Sequence, residues 1–437
     1  MKSIKKYLFG FLTTGLLLAG FTSCEEADYP DRHRMTDGYP TVHYVRFADQ
    51  DSFTTKAEMG QVVCIVGDNL NSVHKIFFND RQAILNTSYM TDHTILVEVP
   101  KTLPEKDTES IYLYTKDEHI IVVPFQVLPP APVIYAIDNE WAEPGTEATI
   151  TGNYFFENDA NPIVVSFSGV EVKDFVVKTN EQLTFIFPEG APEGNVTITT
   201  YSGTGRSKFY YHDTRNILFD FDGSRGGFAT GLGWRAPAAG HIHNPGDDAF
   251  EAIDGSYLWL GGNGGLSGGA GVDWAEDPYS FNYWNDVEGS SFPPLSSLPT
   301  FAGYIEKYGW SGLALKFELM VPTSNPWMCQ SLQLMFSSEA VVSNANPNNN
   351  FFTDMSFPRA LYTPWIVPGT FDTGDKWKTV TVPLTEFIYC HDGSSCSTSF
   401  DKSYLAGFSL FLYSGPANGT DCDPVLAIDN IRVVPAQ

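Results

Sequence analysis

Apolar and polar side chains alternate along most of the chain, and turn residues interrupt this alternation at roughly ten-residue intervals. In residues 313–321 every second side chain is large and apolar, and Lys316 and Glu318 lie on the opposite face. A period of two is typical of β-strands that bury one face. No convincing long helix emerges from the pattern. The sequence therefore predicts an all-β protein built from antiparallel sandwiches.

A repeated segment divides the first half of the chain. The segment from Gly60 to Gly67 returns from Gly145 to Gly152 with the same spacing, and an apolar strand follows each copy. Glycine at such positions allows a positive φ or a close approach of two backbones. The proline-rich residues 128–132 lie between the copies and predict a stiff joint.

The region after the repeats differs in size and composition. Its connections at residues 222–256, 261–312 and 337–378 are much longer than usual, which is typical of binding sites or of disorder. Their content of Trp and Tyr favours binding. The strands of this region are predicted at residues 216–221, 313–321, 332–336, 379–384, 407–413 and 426–433.

Aromatic side chains in or beside these connections are the candidate binding residues. The flat C–H face of a β-linked glucose ring stacks on an exposed indole or phenol, while nearby amides bind its hydroxyl groups. Each such ring contributes at most about 1.5–3 kcal/mol. The strongest cluster is Asp273-Trp274 followed by residues 280–286, where adjacent aromatic residues have flanking Asn and Asp. The candidate glycan-binding residues are Trp234, Trp274, Tyr283, Trp284, Trp310 and Trp365.

Each of these rings has an alternative role, which is to pack its own loop onto the sandwich. Trp327 lies in the same connections and has the same two possible roles, ligand binding and packing of its loop. Trp259 lies within an apolar segment and Trp377 lies directly before a strand. We expect both of these tryptophans to be structural.

The chain is strongly acidic, with 52 Asp and Glu against 26 Lys and Arg and a formal net charge of −26 at pH 7. Such a surface repels nucleic acid and anionic lipid, so neither is an expected partner. Acidic polysaccharides are disfavoured for the same reason. A neutral ligand is therefore expected.

The first residues predict export. A lysine-containing start precedes the apolar residues 8–19, a pattern typical of a secretory signal and too short for a membrane span. The following Phe21-Thr-Ser-Cys24 resembles a bacterial lipobox. This resemblance implies a lipoprotein signal peptide at residues 1–23 and a lipid anchor on Cys24. The alternative is an ordinary cleaved signal with a chance cysteine.

Residues 24–39 are polar and contain proline, so they predict a tether. The acidic residues directly after Cys24 resemble the export labels of surface lipoproteins in Gram-negative glycan scavengers. This resemblance implies a lipoprotein on the outer face of the outer membrane.

The remaining cysteines are odd in number, so they cannot all pair. They do not form the CxxC pairs of a zinc site. The spacing of Cys390 and Cys396 allows one small disulfide loop in an oxidising compartment, and their remaining as free thiols is equally open. The full set after Cys24 is Cys64, Cys329, Cys390, Cys396 and Cys422.

The two repeat copies resemble the immunoglobulin-like IPT/TIG domain over residues 40–128 and 130–212. The resemblance rests on the glycine-bounded strand and on the later strands that end at Pro100 and Pro188. It implies two small β-sandwiches. Because these segments carry few aromatic residues suited to a ligand, we expect them to act as spacers.

Residues 216–437 resemble the xyloglucan-binding domain of surface glycan-binding proteins encoded beside starch-utilisation-like uptake systems. The resembling motifs are Phe219-Asp-Phe-Asp-Gly223, Gly233-Trp234, Tyr283-Trp284, Leu361-Tyr-Thr-Pro-Trp365 and Thr373-Gly-Asp-Lys-Trp377. The resemblance implies a jelly-roll-like sandwich that binds xyloglucan or mixed-linkage β-glucan without cleaving it. It also implies an outer-membrane glycan transporter complex as partner.

Jelly-roll carbohydrate-binding modules often hold a structural calcium, and Asp220, Asp222 and Asp429 are its possible ligands here. No other cofactor is expected. Two different functions stay open. The last domain is a glycoside hydrolase if two acids from separate loops meet at catalytic distance, or the chain is an adhesin that binds a protein. The acidic triplet Glu105-Lys-Asp-Thr-Glu109 fits a hydrolase pattern but lies in a charged turn.

Overall fold

The computed structural model describes residues 38–157, 160–223, 227–228, 231, 241–261, 265–269, 279–285, 292–339 and 355–436. The predicted signal peptide, Cys24, Trp234 and Trp274 lie outside these residues. Within them the chain is built mainly of β-strands, and the all-β prediction is confirmed. No helix in the described ranges is long and apolar enough to cross a membrane. The chain divides into two compact units, Met1–Pro130 and Ala131–Gln437.

The first unit contains one β-sandwich. A sheet of order β1-β3-β6 packs against a sheet of order β5-β4-β7-β8, and β2 pairs with β9 in parallel. The core between the sheets includes Ile65, Ile76 and Leu113. The strands are β1 (Thr41–Phe47), β2 (Lys56–Glu58), β3 (Val62–Asp68), β4 (Val73–Phe78), β5 (Arg81–Gln82), β6 (Thr94–Glu98), β7 (Ser110–Thr115), β8 (Ile120–Pro124) and β9 (Gln126–Leu128).

The second unit begins with a sandwich of the same kind, here named the second module. Sheets of order β10-β11-β15-β14 and β13-β12-β16-β17 enclose a core that includes Val165 and Phe185. Its strands are β10 (Val133–Ile137), β11 (Glu147–Asn153), β12 (Val164–Phe167), β13 (Val170–Glu171), β14 (Phe175–Lys178), β15 (Gln182–Ile186), β16 (Gly194–Thr200) and β17 (Gly203–Tyr211).

The repeated glycines are needed for two different reasons. Gly60 and Gly145 have φ of 81° and 82°, a left-handed conformation that favours glycine. At Gly67 and Gly152 a Cβ would overlap a carbonyl oxygen of the neighbouring strand. The prediction that these glycines allow a positive φ or a close backbone approach is confirmed.

The rest of the second unit, here named the terminal domain, is a larger sandwich. Its first sheet has the order β19-β20-β27-β22-β25, with β18 also paired to β27, and its second sheet has the order β21-β26-β23-β24. Apolar side chains from both sheets form one core. The strands are β18 (Ile217–Phe219), β19 (Ile242–His243), β20 (Tyr257–Gly261), β21 (Ser280–Tyr283), β22 (Leu313–Met320), β23 (Ser331–Ser337), β24 (Ala360–Tyr362), β25 (Lys378–Pro383), β26 (Gly407–Tyr413) and β27 (Val425–Pro435).

One α-helix lies in the described part of the chain, and the sequence pattern did not predict it. Helix α1 (Pro299–Tyr308) begins with proline at its first position, where a missing N–H is harmless, and ends at Gly309. Phe301 is its buried contact with the core. Short 3₁₀ helices are Leu70–Ser72, Thr87–Tyr89, Leu295–Ser297, Trp310–Gly312, Leu384–Glu386 and Lys402–Tyr404.

A buried ion network joins the second module to the terminal domain. Arg432 on β27 donates to both carboxylate oxygens of Glu318 at 2.7 and 2.9 Å, and to Glu140 of the second module at 2.8 Å. Lys316 also donates to Glu140. All four side chains are buried, so the two cations and the two carboxyl groups pair away from water, where burial raises the pKa of Glu318 to about 7.

At β22 the structure differs from the sequence prediction that only one face of the strand is buried. The alternation that places Lys316 and Glu318 on one face is present, but both faces of the strand are buried. The second module covers the polar face, because Glu140 and Trp141 pack there. Trp141 belongs to an apolar cluster that also contains Tyr257 and Trp377 of the terminal domain.

The expectation that Trp259 and Trp377 are structural fits their contacts. The Trp377 indole is buried and donates from Nε1 to the Glu251 carbonyl at 2.8 Å. Trp259 stacks on His243 with ring centroids 4.4 Å apart and an interplanar angle of 8°. Both rings support the surface that faces the second module.

Replacing Glu140 by alanine should destabilise the second unit by about 3–5 kcal/mol, because Lys316 and Arg432 then share one carboxylate in a buried site. Urea denaturation followed by tryptophan fluorescence measures this loss. Glu143→Ala is the matched control, since Glu143 is exposed nearby and its removal should change the free energy of unfolding by less than about 0.5 kcal/mol. Equal effects of the two substitutions would contradict the role of the network.

Candidate functional site

The candidate site is the face of the second sheet that points away from the core, here named the outer face. Strand alternation sends Phe281, Leu334 and Leu410 into the core and the neighbouring side chains outward. The outward set is Ser280 and Asn282 on β21, Ser331, Gln333, Met335 and Ser337 on β23, and Ser409, Phe411 and Tyr413 on β26.

Aromatic rings form part of the outer face. Trp284, Met335, Phe411 and Tyr413 form one apolar cluster, and Phe357 packs against it. Trp284 directly follows β21, which pairs with β26. A Cβ at Gly407 would lie 3.4 Å from the Trp284 Cα and 2.8 Å from the Tyr283 carbonyl oxygen. Glycine at position 407 therefore lets the chain around Trp284 approach the sheet.

A hydrogen-bonded group fixes the middle of the outer face. The Gln333 amide donates to the carbonyl oxygens of His391 and Tyr413 at 2.9 and 2.8 Å, and its own oxygen accepts from Arg359 Nη1 at 3.1 Å. Arg359 is fully buried. Burial and the nearby Arg359 charge lower the pKa of His391, which keeps its imidazole neutral. These hydrogen bonds hold the Gln333 and Arg359 side chains in place on the outer face.

Several hydroxyl groups on the outer face lack partners. The Oγ atoms of Ser280, Ser331, Ser337 and Ser409 are buried and form no hydrogen bond in the described part of the chain. Buried polar atoms are usually paired, so unpaired hydroxyls grouped on one face indicate a place where a polar ligand or ordered water binds. Rings and hydroxyls side by side suit a ligand with apolar faces and polar edges.

The predicted binding aromatics are more buried than the sequence suggested. Tyr283, Trp284 and Trp365 are 2, 0 and 4% exposed, and Trp327 is 0% exposed. The expectation that these rings lie bare to solvent is therefore wrong. Tyr283, Trp327 and Trp365 point into the core, where apolar packing holds them. Burial raises the pKa of Tyr283.

The predicted aromatics also do not form one platform. Trp284 follows the residue paired with Phe408, at the start of β26, whereas Trp365 lies beyond the β24 end that is level with Leu412. Phe408 and Leu412 are four residues apart on β26, a distance of about 13 Å along the strand. The Trp365 indole donates to the Gln330 carbonyl at 2.7 Å, which orients it inward.

The remaining candidates divide between described and undescribed residues. Trp310 is half-buried and contacts Phe400 with ring centroids 5.4 Å apart. Trp234 and Trp274 lie outside the described residues. Only Trp284 of the described candidates joins the outer face, and contact of any of these rings with a glycan stays a prediction.

The polar part of the outer face was missed from the sequence. A signal for it exists in Ser331-Leu-Gln333-Leu-Met-Phe-Ser337, where hydroxyl and amide side chains alternate with core residues. The same alternation occurs in β21 with Ser280 and Asn282. In the sequence these polar positions resemble an ordinary solvent-exposed strand face, so they do not by themselves predict a site.

The possible calcium ligands have backbone partners. Asp220 Oδ1 accepts from Gly223 N at 3.0 Å, and Asp429 Oδ1 accepts from Asn430 N at 2.7 Å. Burial, with Asp254 as a further cause, raises the pKa of Asp429. Within the described ranges no three His, Cys, Asp or Glu side chains are grouped to hold a metal ion. The structural calcium stays a prediction.

Gly407→Ala should destabilise the terminal domain by about 1–3 kcal/mol, because the new methyl group overlaps the Ser337 side chain and crowds the backbone at Trp284. Gly303→Ala is the control, since no atom lies near a Cβ at that helical position, and it should stabilise α1 by up to about 1 kcal/mol. Chemical denaturation of both variants measures the difference. A neutral Gly407→Ala would show that Trp284 does not depend on this close approach.

Two known protein families match the two parts of the second unit separately. The model for the surface glycan-binding protein B xyloglucan binding domain matches residues 211–435, and the model for the IPT/TIG domain matches residues 132–213. The resemblance of residues 216–437 to that xyloglucan-binding family is thereby confirmed.

A crystal structure of surface glycan-binding protein PbSGBP-B from Prevotella bryantii is similar to this chain. It is 32% identical with a TM-score of 0.74, over 92% of this chain and 99% of that protein. SGBP-B from a complex xyloglucan utilization locus in Bacteroides uniformis is 19% identical with a TM-score of 0.41, over 91% of this chain and 100% of that one.

An IPT/TIG domain-containing protein of Bacteroides ovatus is 29% identical over 244 residues, which are 50% of this chain and 48% of that protein. The chain thus spans about half the length of this curated relative. The domain model covers more than half of the present chain, and the Prevotella bryantii protein matches it nearly end to end. The chain belongs to the surface glycan-binding protein B family.

Proposed function

We propose that this protein is a non-catalytic cell-surface lipoprotein that binds a neutral β-glucan, either xyloglucan or mixed-linkage β-glucan, on the outer face of its terminal domain. One observation carries the proposal. Aromatic rings and unpaired serine hydroxyls lie on the same face of the second sheet, in the domain that matches the xyloglucan-binding family.

The chemistry of the outer face suits a glucan. The outer face combines apolar rings, such as Trp284 and Phe411, with hydroxyl groups, such as those of Ser280 and Ser409, and all four side chains are buried in the free protein. Glucose has apolar C–H faces and hydroxyl edges, so a site for it uses this combination of groups. A neutral sugar also fits the net charge of −26, since an acidic polysaccharide would be repelled. PbSGBP-B, which is 32% identical, is itself named a surface glycan-binding protein.

Binding without cleavage is supported by the side chains of this face. Glycoside hydrolases generally need two carboxyl groups about 5–9.5 Å apart at the sugar. The described strands β21, β23 and β26 send no Asp or Glu outward. The acidic triplet from Glu105 to Glu109 belongs to the first unit, where Glu105 pairs with Arg81 at 3.2 Å.

The cellular setting completes the proposal. A lipid on Cys24 holds the chain at the outer membrane, and an outer-membrane transporter complex receives the captured glucan. The family is one of surface glycan-binding proteins, which supports a place at the cell surface. The ion network at Glu140 fixes the terminal domain to the second module, so the outer face keeps one orientation relative to that module.

Trp284→Ala should weaken binding of xyloglucan or mixed-linkage oligosaccharides at least tenfold, a loss of about 1.4 kcal/mol, because it removes a ring of the outer face. Calorimetric titration with a panel of both oligosaccharides measures the loss. Tyr135→Ala is the control, since Tyr135 is an exposed aromatic on the second module and its removal should leave affinity unchanged. Unchanged affinity of Trp284→Ala would place the binding site elsewhere.

Ser409→Ala separates a binding role from a packing role. It removes an unpaired buried hydroxyl, so the free protein should be as stable as before or more stable by up to about 1 kcal/mol. Glucan affinity should still fall, by roughly fivefold, through the lost hydrogen bond. Ser403→Ala is the control, because that exposed hydroxyl bonds to Asp401 and should not affect affinity.

Three results would overturn these assignments. Equal affinity of Ser409→Ala and the wild type would show that the hydroxyl does not touch glucan. Release of reducing sugars from either glucan by the purified protein would favour the hydrolase alternative. Migration of the protein without retardation in affinity gels cast with each glucan would favour the adhesin alternative.

A further inference from the structure

Two cysteines far apart in the sequence meet in the terminal domain. Cys329 Sγ and Cys422 Sγ are 3.3 Å apart although 93 residues separate them in the chain. Cys329 is fully buried in the core, and Cys422 is half-buried. Neither is bonded to another cysteine, so the structure describes both as thiols.

The backbone around the pair is held by hydrogen bonds from three segments. Cys422 and Leu266 exchange N–H to carbonyl bonds of 3.1 and 2.6 Å, and Thr420 N donates to the Met328 carbonyl at 3.0 Å. Gly268 N donates to Asp421 Oδ1 at 2.7 Å. Both cysteines are therefore held next to each other by hydrogen-bonded backbone.

The separation of the sulfur atoms fits bond formation. A disulfide has sulfur atoms about 2.05 Å apart, so the two atoms have to approach by only roughly 1.3 Å from their present separation. We propose that Cys329 and Cys422 form a disulfide in the exported protein. The proposal is independent of glucan binding, because it rests on this contact alone.

The reaction is a pair of thiol–disulfide exchanges with a disulfide oxidant of the cell envelope. The Cys422 thiolate attacks the oxidant disulfide, forms a mixed disulfide and expels one oxidant thiolate. Cys329 then loses its proton and attacks the Cys422 sulfur, which releases the second oxidant thiolate. One S–S bond forms in the protein, the oxidant gains two electrons, and two protons leave the cysteines.

The order of attack follows from the surroundings of each sulfur. Cys422 is the more accessible, and its sulfur accepts hydrogen bonds from Cys329 and from Met328 N at 3.4 Å, which lower its pKa. The hydrogen bond to Cys422 and burial raise the pKa of Cys329. Cys422 is therefore the nucleophile toward the external oxidant and Cys329 is the resolving thiol.

The other cysteines provide internal comparisons. Cys390 and Cys396 are close on one hairpin, and both thiols donate to the Met355 carbonyl at 3.1 Å. The disulfide that their spacing allows is not formed in the structure and stays a prediction. It would close only a short loop. A Cys329–Cys422 bond would close a loop of more than 90 residues, which restrains the unfolded chain more strongly.

The test uses the full chain expressed with its signal sequence and purified from the cell envelope without reductant. Free thiols are alkylated under denaturing conditions, and the digest is analysed by mass spectrometry. We expect one linked peptide pair that contains Cys329 and Cys422, which disappears after reduction. Recovery of both cysteines as alkylated free thiols, or linkage confined to Cys390 and Cys396, would overturn the proposal.

Thermal unfolding gives a second measurement. Reductant should lower the Tm of the wild type by about 5–10 °C, and a Cys329→Ala/Cys422→Ala double variant should lose this response. The matched control is Cys390→Ala/Cys396→Ala, which keeps the proposed bond and should retain most of the shift. A double variant at 329 and 422 that responds to reductant as the wild type does would contradict the proposed pairing.

Discussion

The central strands of the terminal domain are buried on both faces, and this constraint governs the rest of the second unit. Every residue of β22, β23, β26 and β27 is buried. In an ordinary two-layer sandwich each sheet has one face on the core and one face toward water. Here the second module covers the first sheet, and rings such as Trp284 and Phe357 cover part of the second sheet. Polar groups on both covered faces therefore need partners other than bulk water.

The two covered faces meet this requirement differently. At the junction with the second module, Arg432 and Lys316 are matched by two carboxylates, and the large desolvation cost is offset only when all four groups are in place. That dependence favours one orientation of module and domain. On the outer face, serine hydroxyls such as Ser409 are left unpaired, which lowers stability while it leaves hydrogen-bonding capacity for a ligand. This is the usual trade between stability and function.

The sequence predicted the long strands and the fold class because their period of two is a local property. It missed β19, β21 and β24, which have two to four residues each and lie inside the predicted long connections, and it missed the five-residue β20 between two of those connections. It also could not supply the partner of Lys316, because Glu140 is 176 residues away and only the folded chain brings them together. Aromatic content marked the right domain. It did not reveal which rings face the core, because that depends on strand register. Trp365 is an example, since it was predicted to bind a ligand and its indole instead points inward and donates to the Gln330 carbonyl.

The position of the two covered faces has a consequence for how the protein presents a ligand. The junction occupies the far side of the first sheet and the outer face occupies the far side of the second, so the whole sandwich lies between them. Sheets in such a sandwich are about 10 Å apart. The outer face, which is the proposed glucan site, is therefore separate from the surface that the second module covers, and the ion network at Arg432 lies at that covered surface. The attachment to the second module and the proposed binding face therefore use different sheets of the terminal domain.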